Sequence, residues 1–229
     1  SLYWQLNDVW PGASWSSVDY YGRWKALNYH ARRFYAPELA AALRKDGSTT
    51  LSLVSDRTVP LTARWRLRVL DFAGKELSRR ERTATLPPLS STRVAQFSDA
   101  QLLGRADPKR SFAVFELLDG ERVLSRQLVF FDAAKHLALP APQVRSEWKA
   151  DGDGFALTLS SGALAREVWL SFGDLDVHVS DNAFDLFPGE PLTVRVQGQV
   201  TLEQLRAALQ VRDLASTLAG APAEPAEAQ

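Results

Sequence analysis

Trp4, Gln5, Asn7 and Asp8 fall within the stretch YWQLND, close to the first residue of the sequence. An indole offers a flat apolar face, and the amides and carboxylate beside it offer directed hydrogen-bond partners. A sugar ring needs both, because its C–H face stacks on an aromatic plane while its hydroxyls require donors and acceptors. The grouping therefore suits a saccharide pocket, with Trp4 as the platform and Asn7 and Asp8 as polar contacts beside it.

Other combinations that could do chemistry are poorer. GASWS at 12–16 has the outline of a nucleophile elbow, but Ser16 replaces the second glycine and no strand-to-helix turn follows closely. His30, His136 and His178 lack the paired spacing of a zinc site and read as surface or packing residues. DGDG at 151–154 holds two carboxylates without the remaining oxygen ligands of a calcium loop, so it reads as a hairpin turn. With no cysteine in the chain, thiolate nucleophiles and disulfides are excluded, and the redox compartment is left open. No metal site and no cofactor is expected.

The elements that would position Trp4 begin with an unusual block. Residues 1–37 hold all five tyrosines, four of the seven tryptophans and no glutamate. A short apolar strand is expected first, then a Pro11-Gly12 turn and a serine-rich loop. After Gly22, apolar residues recur at Trp24, Leu27, Ala31 and Phe34, the spacing of a helix, with Pro37 as its stop. Trp10, Trp15, Trp24, Tyr20, Tyr21 and Tyr29 are expected to serve mostly in packing.

From Thr49 the period changes to two. In ARWRLRVL, Trp65, Leu67 and Val69 alternate with Arg64, Arg66 and Arg68, giving a core face and a solvated face. Similar runs at 51–54, 93–97, 112–118 and 123–131 are separated by turn signals, including the hairpin signal Asp119-Gly120, and DAQLL is a short helix candidate. The pattern is that of a β-sandwich. LALPAPQV at 137–144 is a proline-punctuated connection to a second β unit, with runs at 155–159, 167–172 and 192–196. A capping box from Thr201 to Gln204 opens a short helix, LQVRDL is a closing strand, and the terminal APAEPAEAQ is expected to be disordered.

Charge and hydropathy narrow the partners. The 27 basic and 27 acidic residues balance, giving no field to gather nucleic acid or an anionic membrane. No run approaches the roughly 20 apolar residues that span a bilayer, and the first residues lack the basic-then-apolar pattern of an export signal. Methionine is absent, and Ser1-Leu2-Tyr3-Trp4 reads like the interior of a strand. A longer preceding part of the protein is expected from both features.

YWQLNDVWPGASWSSVDYYGRWKALNYHARRFYAP, covering residues 3–37, resembles the end of the catalytic barrel in β-mannosidases of glycoside hydrolase family 2. LSFGDLDVHVSDNAFDLFPGEPLTV resembles the final immunoglobulin-like domain of those enzymes, with Ser180-Asp181-Asn182 and the run from Asp185 to Glu190 as its recognisable core. The resemblance implies a mainly β chain: the last strand and helix of a (β/α)8 barrel over 1–37, and immunoglobulin-like sandwiches over 38–140 and 141–215, followed by a tail over 216–229 that is expected to be disordered.

It also implies that Trp4 matches the tryptophan under the sugar in the cleavage subsite, with Asn7 and Asp8 beside it. The family releases terminal β-mannosyl units with retention, using one glutamate as acid/base and another as nucleophile. Both would lie on earlier barrel strands, so this chain is expected to hold no catalytic residue, and its partners would be the β-mannoside and the preceding part of the same protein. Two other readings remain open at this point. One is a non-catalytic sandwich module that binds carbohydrate or another protein; the other is a related enzyme acting on β-glucosaminides, which shares the WQLN strand.

Overall fold

The computed structural model describes residues 2–218; APAEPAEAQ, expected to be disordered, lies outside the described residues. The chain divides into two compact units. One is Arg32–Leu139, and the other combines the residues up to Ala31 with those from Pro140 onward.

Helix α1 spans Ala26–Phe34, where the sequence periodicity places a helix. Arg32 and Arg33 occupy its last turn, the end where the helix dipole favours positive charge. The buried residues are Tyr29 and Ala31, whereas Phe34 is exposed.

The unit Arg32–Leu139 contains β1 (Glu38–Lys45), β2 (Ser48–Ser55), β3 (Leu61–Asp71), β4 (Glu76–Leu86), β5 (Ser90–Ser98), α2 (Asp99–Leu103), β6 (Ser111–Asp119) and β7 (Arg122–Phe130). These strands form two antiparallel sheets, ordered β1-β2-β5 and β4-β3-β6-β7. Leu51 and Leu53 from the first sheet meet Trp65, Leu67, Val69, Phe115 and Leu117 from the second in one buried cluster. This is the sandwich that the two-residue period requires.

Edge strand β1 is tied across the sandwich. Ala40 N donates to Ser125 Oγ at 3.0 Å, Ala42 N donates to Gln127 Oε1 at 2.7 Å, and Gln127 Nε2 returns a bond to Ala42 O at 3.1 Å. Edge amides that would otherwise invite another strand are thereby occupied. The opposite sheet ends on β4, whose run of Arg79, Arg80, Glu81 and Arg82 gives its edge a dense charge.

The arginine face of β3 departs from the expectation of a solvated surface. Arg66 and Arg68 have side chains only 15% and 13% exposed, and both reach Glu116, which is fully buried. The cause is register, since Arg66 lies directly opposite Glu116 on β6. Arg66 Nε donates to Glu116 Oε2 at 2.6 Å, and Arg126 Nε donates to Oε1 at 2.8 Å.

The other unit carries β8 (Arg145–Asp151), β9 (Gly154–Ser160), β10 (Ala165–Ser171), β11 (His178–Val179), β12 (Phe184–Leu186), β13 (Leu192–Gln197), α3 (Leu202–Ala208), β14 (Gln210–Arg212) and α4 (Leu214–Leu218). Its sheets are ordered β11-β13-β9-β8 and β12-β10-β14. Leu157, Leu159, Val168, Leu170, Val194, Val196 and Leu205 are among the residues of its core. DGDG is the β8–β9 hairpin turn, with Asp151 opposite Gly154. Thr201 and Gln204 form the capping box of α3, and Ser98 with Gln101 forms a second one on α2, which the sequence pattern alone did not single out.

Residues 2–25 contain no strand among the described residues, contrary to the strand expected at the start. Two isolated bridges, Asn7 with Val18 and Val18 with Trp24, stand in their place. A parallel barrel strand takes its backbone hydrogen bonds from neighbours on both sides, and no such neighbour is present among the described residues.

Candidate functional site

The segment that carries Trp4 is shaped by the serine loop C-terminal to it. Ser17 N donates to Gln5 O at 3.0 Å and Leu6 O at 3.1 Å, and Val18 N donates to Leu6 O at 2.9 Å. Asp8 N closes the contact by donating to Val18 O at 3.1 Å, and Lys25 N ties the far end of the loop to Ser17 O at 2.9 Å. The Ser17 hydroxyl lies 2.9 Å from Leu6 O, 2.9 Å from Tyr3 Oη and 3.1 Å from Asn28 Oδ1. Residues 5–8 are thus pinned by Ser17 and Val18, which are pinned in turn to the start of α1.

The three candidate site residues fare differently. Trp4 is 76% exposed, and the Trp4–Gln5 peptide bond is cis. Asn7 is exposed, with its side-chain amide donating to Asp8 O at 3.3 Å. Asp8 is buried, and its Oδ2 accepts from Ser16 Oγ at 2.7 Å and Lys25 Nζ at 3.0 Å. The hydroxyls of Ser14 and Ser16 and the Lys25 ammonium hold the Asp8 carboxyl below the ordinary carboxylate range, outweighing burial.

Lys25 Nζ also donates to Ser16 Oγ at 2.7 Å and Ser14 Oγ at 3.2 Å. Serine, lysine and aspartate together have the makings of a nucleophile and its base. Ser16 is 3% exposed, however, and its hydroxyl is spent on Asp8, so it presents no face to a reacting carbon. The arrangement is a structural node. Ser16, Ser17 and Lys25 were not singled out as site residues in the sequence, because separations of eight and seventeen residues from Asp8 follow neither strand nor helix period.

The remaining aromatics divide into two sets. Trp24 and Tyr29 pack as expected: their rings meet edge to face at 5.2 Å, and Tyr29 and Trp24 further meet Trp169 at 6.2 Å and His178 at 6.0 Å respectively. Trp10, Trp15, Tyr20 and Tyr21 depart from the packing expectation, with exposures of 73%, 77%, 51% and 67%. Tyr20 and Tyr21 meet each other edge to face at 5.2 Å, and the Arg23 guanidinium lies 5.1 Å from the Tyr21 ring centre, contacts that leave much of both rings uncovered.

Of the other histidines, His30 Nε2 lies 3.1 Å from Glu167 Oε2, and His136 Nδ1 lies 3.1 Å from Asp132 Oδ1. Among the described residues no three His, Asp or Glu side chains converge to hold a metal ion, and no helix is long and apolar enough to cross a membrane.

The motif SDN at 180–182 has a structural explanation. Asn182 is buried and spans the backbone of β10 at Leu170, accepting from Leu170 N at 2.8 Å and donating to Leu170 O at 2.9 Å. Asp185 accepts from Glu167 N at 3.0 Å, where β10 shifts register against β12. These polar residues complete a bulged strand.

Two antiparallel sandwiches follow a pinned loop that turns an indole outward, an organisation of successive immunoglobulin-like domains. Residues 47–136 match the family described as the mannosidase Ig/CBM-like domain, and residues 139–217 match an Ig-fold domain family of mannosidases. The β-mannosidase of Capra hircus is 31% identical over 191 residues, covering 80% of this chain and 22% of its own length. The solved β-D-mannosidase from Dictyoglomus thermophilum superposes with a TM-score of 0.77 at 24% identity, over 92% of this chain and 25% of that one. The exo-chitosanase CsxA of Amycolatopsis orientalis shares the fold with a TM-score of 0.62 at 15% identity, over 93% of this chain and 29% of that one. Through its two mannosidase immunoglobulin-like domains the chain corresponds to a C-terminal portion of the β-mannosidases. It spans about a fifth of the length of the curated relatives it matches.

Proposed function

We propose that the protein containing this chain is an exo-acting, retaining β-mannosidase, and that this chain supplies one wall of its sugar subsite rather than its catalytic carboxylates. The observation that carries the reading is the contrast at 4–8: Trp4 stands exposed while the residues after it are held by the Ser16–Ser17 loop. An indole carried on a pinned segment and open in front suits a stacking platform. Trp4 is the platform, Asn7 a polar contact beside it, and Asp8 the carboxylate that keeps the segment in place.

On this reading residues 1–37 close a barrel begun by a preceding part of the protein, and 38–140 and 141–215 are the two sandwiches. The exposed faces of Trp10, Trp15, Tyr20 and Tyr21 would be covered by that preceding part. The acid/base and nucleophile glutamates would lie there too, since the sequence has no glutamate before Glu38 and those beyond it belong to the sandwich half. Similarity to β-mannosidases across most of the chain supports mannose over glucosamine as the sugar.

The test is hydrolysis of 4-nitrophenyl β-D-mannopyranoside and β-D-glucosaminide by the intact protein, with the anomer released followed by NMR. Hydrolysis of the mannoside with β-mannose appearing first is expected, and Trp4→Ala should lower kcat/KM about a hundredfold or more without changing the thermal midpoint. Preference for the glucosaminide, or mannose binding without hydrolysis, would overturn the reading.

A further inference from the structure

The platform residue itself is largely exposed, so its orientation depends on the segment C-terminal to it. With no strand over 2–25, the regular hydrogen-bond ladder that would fix an indole's direction is missing among the described residues. In its place, one buried carboxylate gathers three side chains. Asp8 Oδ2 accepts from Ser16 Oγ at 2.7 Å and Lys25 Nζ at 3.0 Å, and Lys25 Nζ reaches Ser16 Oγ at 2.7 Å and Ser14 Oγ at 3.2 Å.

A lysine ammonium has three donors in a tetrahedral arrangement, and here they go to three oxygens from two segments. The ammonium is partly buried, with the side chain 33% exposed against 3% for Asp8. A charge pair in that setting is sensitive to loss of either partner, because the survivor is left desolvated. Lys25 also bonds through its backbone to Ser17 O at 2.9 Å, and Ser17 N bonds to Gln5 O at 3.0 Å. Two routes of direct contact therefore leave Lys25: its backbone amide leads through Ser17 to Gln5, the residue bonded to Trp4, and its side chain leads with Ser16 to Asp8, which anchors the other end of the segment 5–8.

We propose that Lys25 and Ser16 are positioning residues for the sugar-binding indole of Trp4, acting through Asp8. The inference rests on the assignment of Trp4 as the platform. It gives work to a lysine and a serine that touch no substrate, and it makes Asp8 a buried anchor rather than a sugar contact. Ser16, within the stretch that resembles a nucleophile elbow, is then a brace for the pocket wall.

The test is a double-mutant cycle in the intact protein, measuring kcat/KM on a β-mannoside for Lys25→Met, Trp4→Phe and the pair. Lys25→Met should lower kcat/KM at least tenfold beside the native Trp4, and less than threefold when Trp4 is already Phe, because the oriented indole is what Lys25 protects. Ser16→Ala should show the same dependence on Trp4 with a smaller loss, and it decides the matter if Lys25→Met does not fold. Equal losses in both backgrounds would mean that Lys25 and Ser16 support the fold alone, and would overturn the inference while leaving Trp4 as the platform. Trp4→Phe having no effect on kcat/KM would instead remove the platform assignment and the inference with it.

Discussion

Lys25 Nζ stands 3.0 Å from Asp8 Oδ2, a contact between the end of the serine loop and the segment that bears the exposed indole. The Asp8 carboxyl, held low by Ser14, Ser16 and Lys25, should titrate in the folded protein below the ordinary value of about 3.9 for an aspartate. A depressed folded value means that its stabilising contribution is complete above the unfolded pKa and is lost as pH falls through the folded one. NMR titration of the Asp8 side chain should therefore give a midpoint below that reference, and Lys25→Met should move it upward. A midpoint at or above the reference would show that the carboxylate is not held by this node.

Glu116 is the buried centre of three arginines. Burial by itself would push its carboxyl up, but the hydrogen bond from Arg66 and the charges of Arg126 and Arg68 outweigh it and hold the group below the ordinary range. Glu116→Gln removes the charge while keeping the shape, and should cost roughly 3 kcal/mol in urea unfolding of the unit Arg32–Leu139, the lower end for a broken buried pair because the arginines retain some access to water. The native contribution should be complete above about pH 4.3 and decline as the pH falls through the lower folded value, so the variant should lose part of the acid sensitivity of the native protein.

Asn182→Ala should destabilise the other sandwich by roughly 2 kcal/mol, since it strips partners from both Leu170 N and Leu170 O in a buried strand. Amide exchange at Leu170 should accelerate in step. An unchanged unfolding midpoint would mean that water or another group replaces the amide without loss.

Gly154→Ala should be poorly tolerated at a hairpin where most small residues would pass. A Cβ at Gly154 would stand 2.7 Å from Val196 O, in the backbone of the paired strand β13, so the two strands must part. The expected loss is about 1–3 kcal/mol, as for overpacking in a core. Gly12→Ala meets no atom within 4 Å and provides the control for substitution at a glycine with open space around it.

Much of the sandwich architecture was legible because its periods are local. ARWRLRVL alternates in sequence as β3 does in space, and the turn signals Asp119-Gly120 and DGDG close hairpins at those positions. Two strands gave weaker signals. ELAAALRK is rich in residues that favour helices, yet it forms β1 because β2 and the side chains of β7 take up its backbone groups. ELSRRERTATL hides its alternation under charge, which suits a sheet edge.

For the candidate site the balance is different. Side-chain type and short-range spacing were enough to locate an aromatic block with amides and a carboxylate beside Trp4, the helix at the end of that block, and two β regions with turns at defined places. Long-range packing, by contrast, turns Asp8 inward to Ser16 and Lys25 while Trp4 faces outward, and closes Arg66 and Arg68 on Glu116 rather than on water. Such choices depend on which distant groups arrive within about 3 Å of each other, and a buried charge accepts that outcome only when its partners are in place.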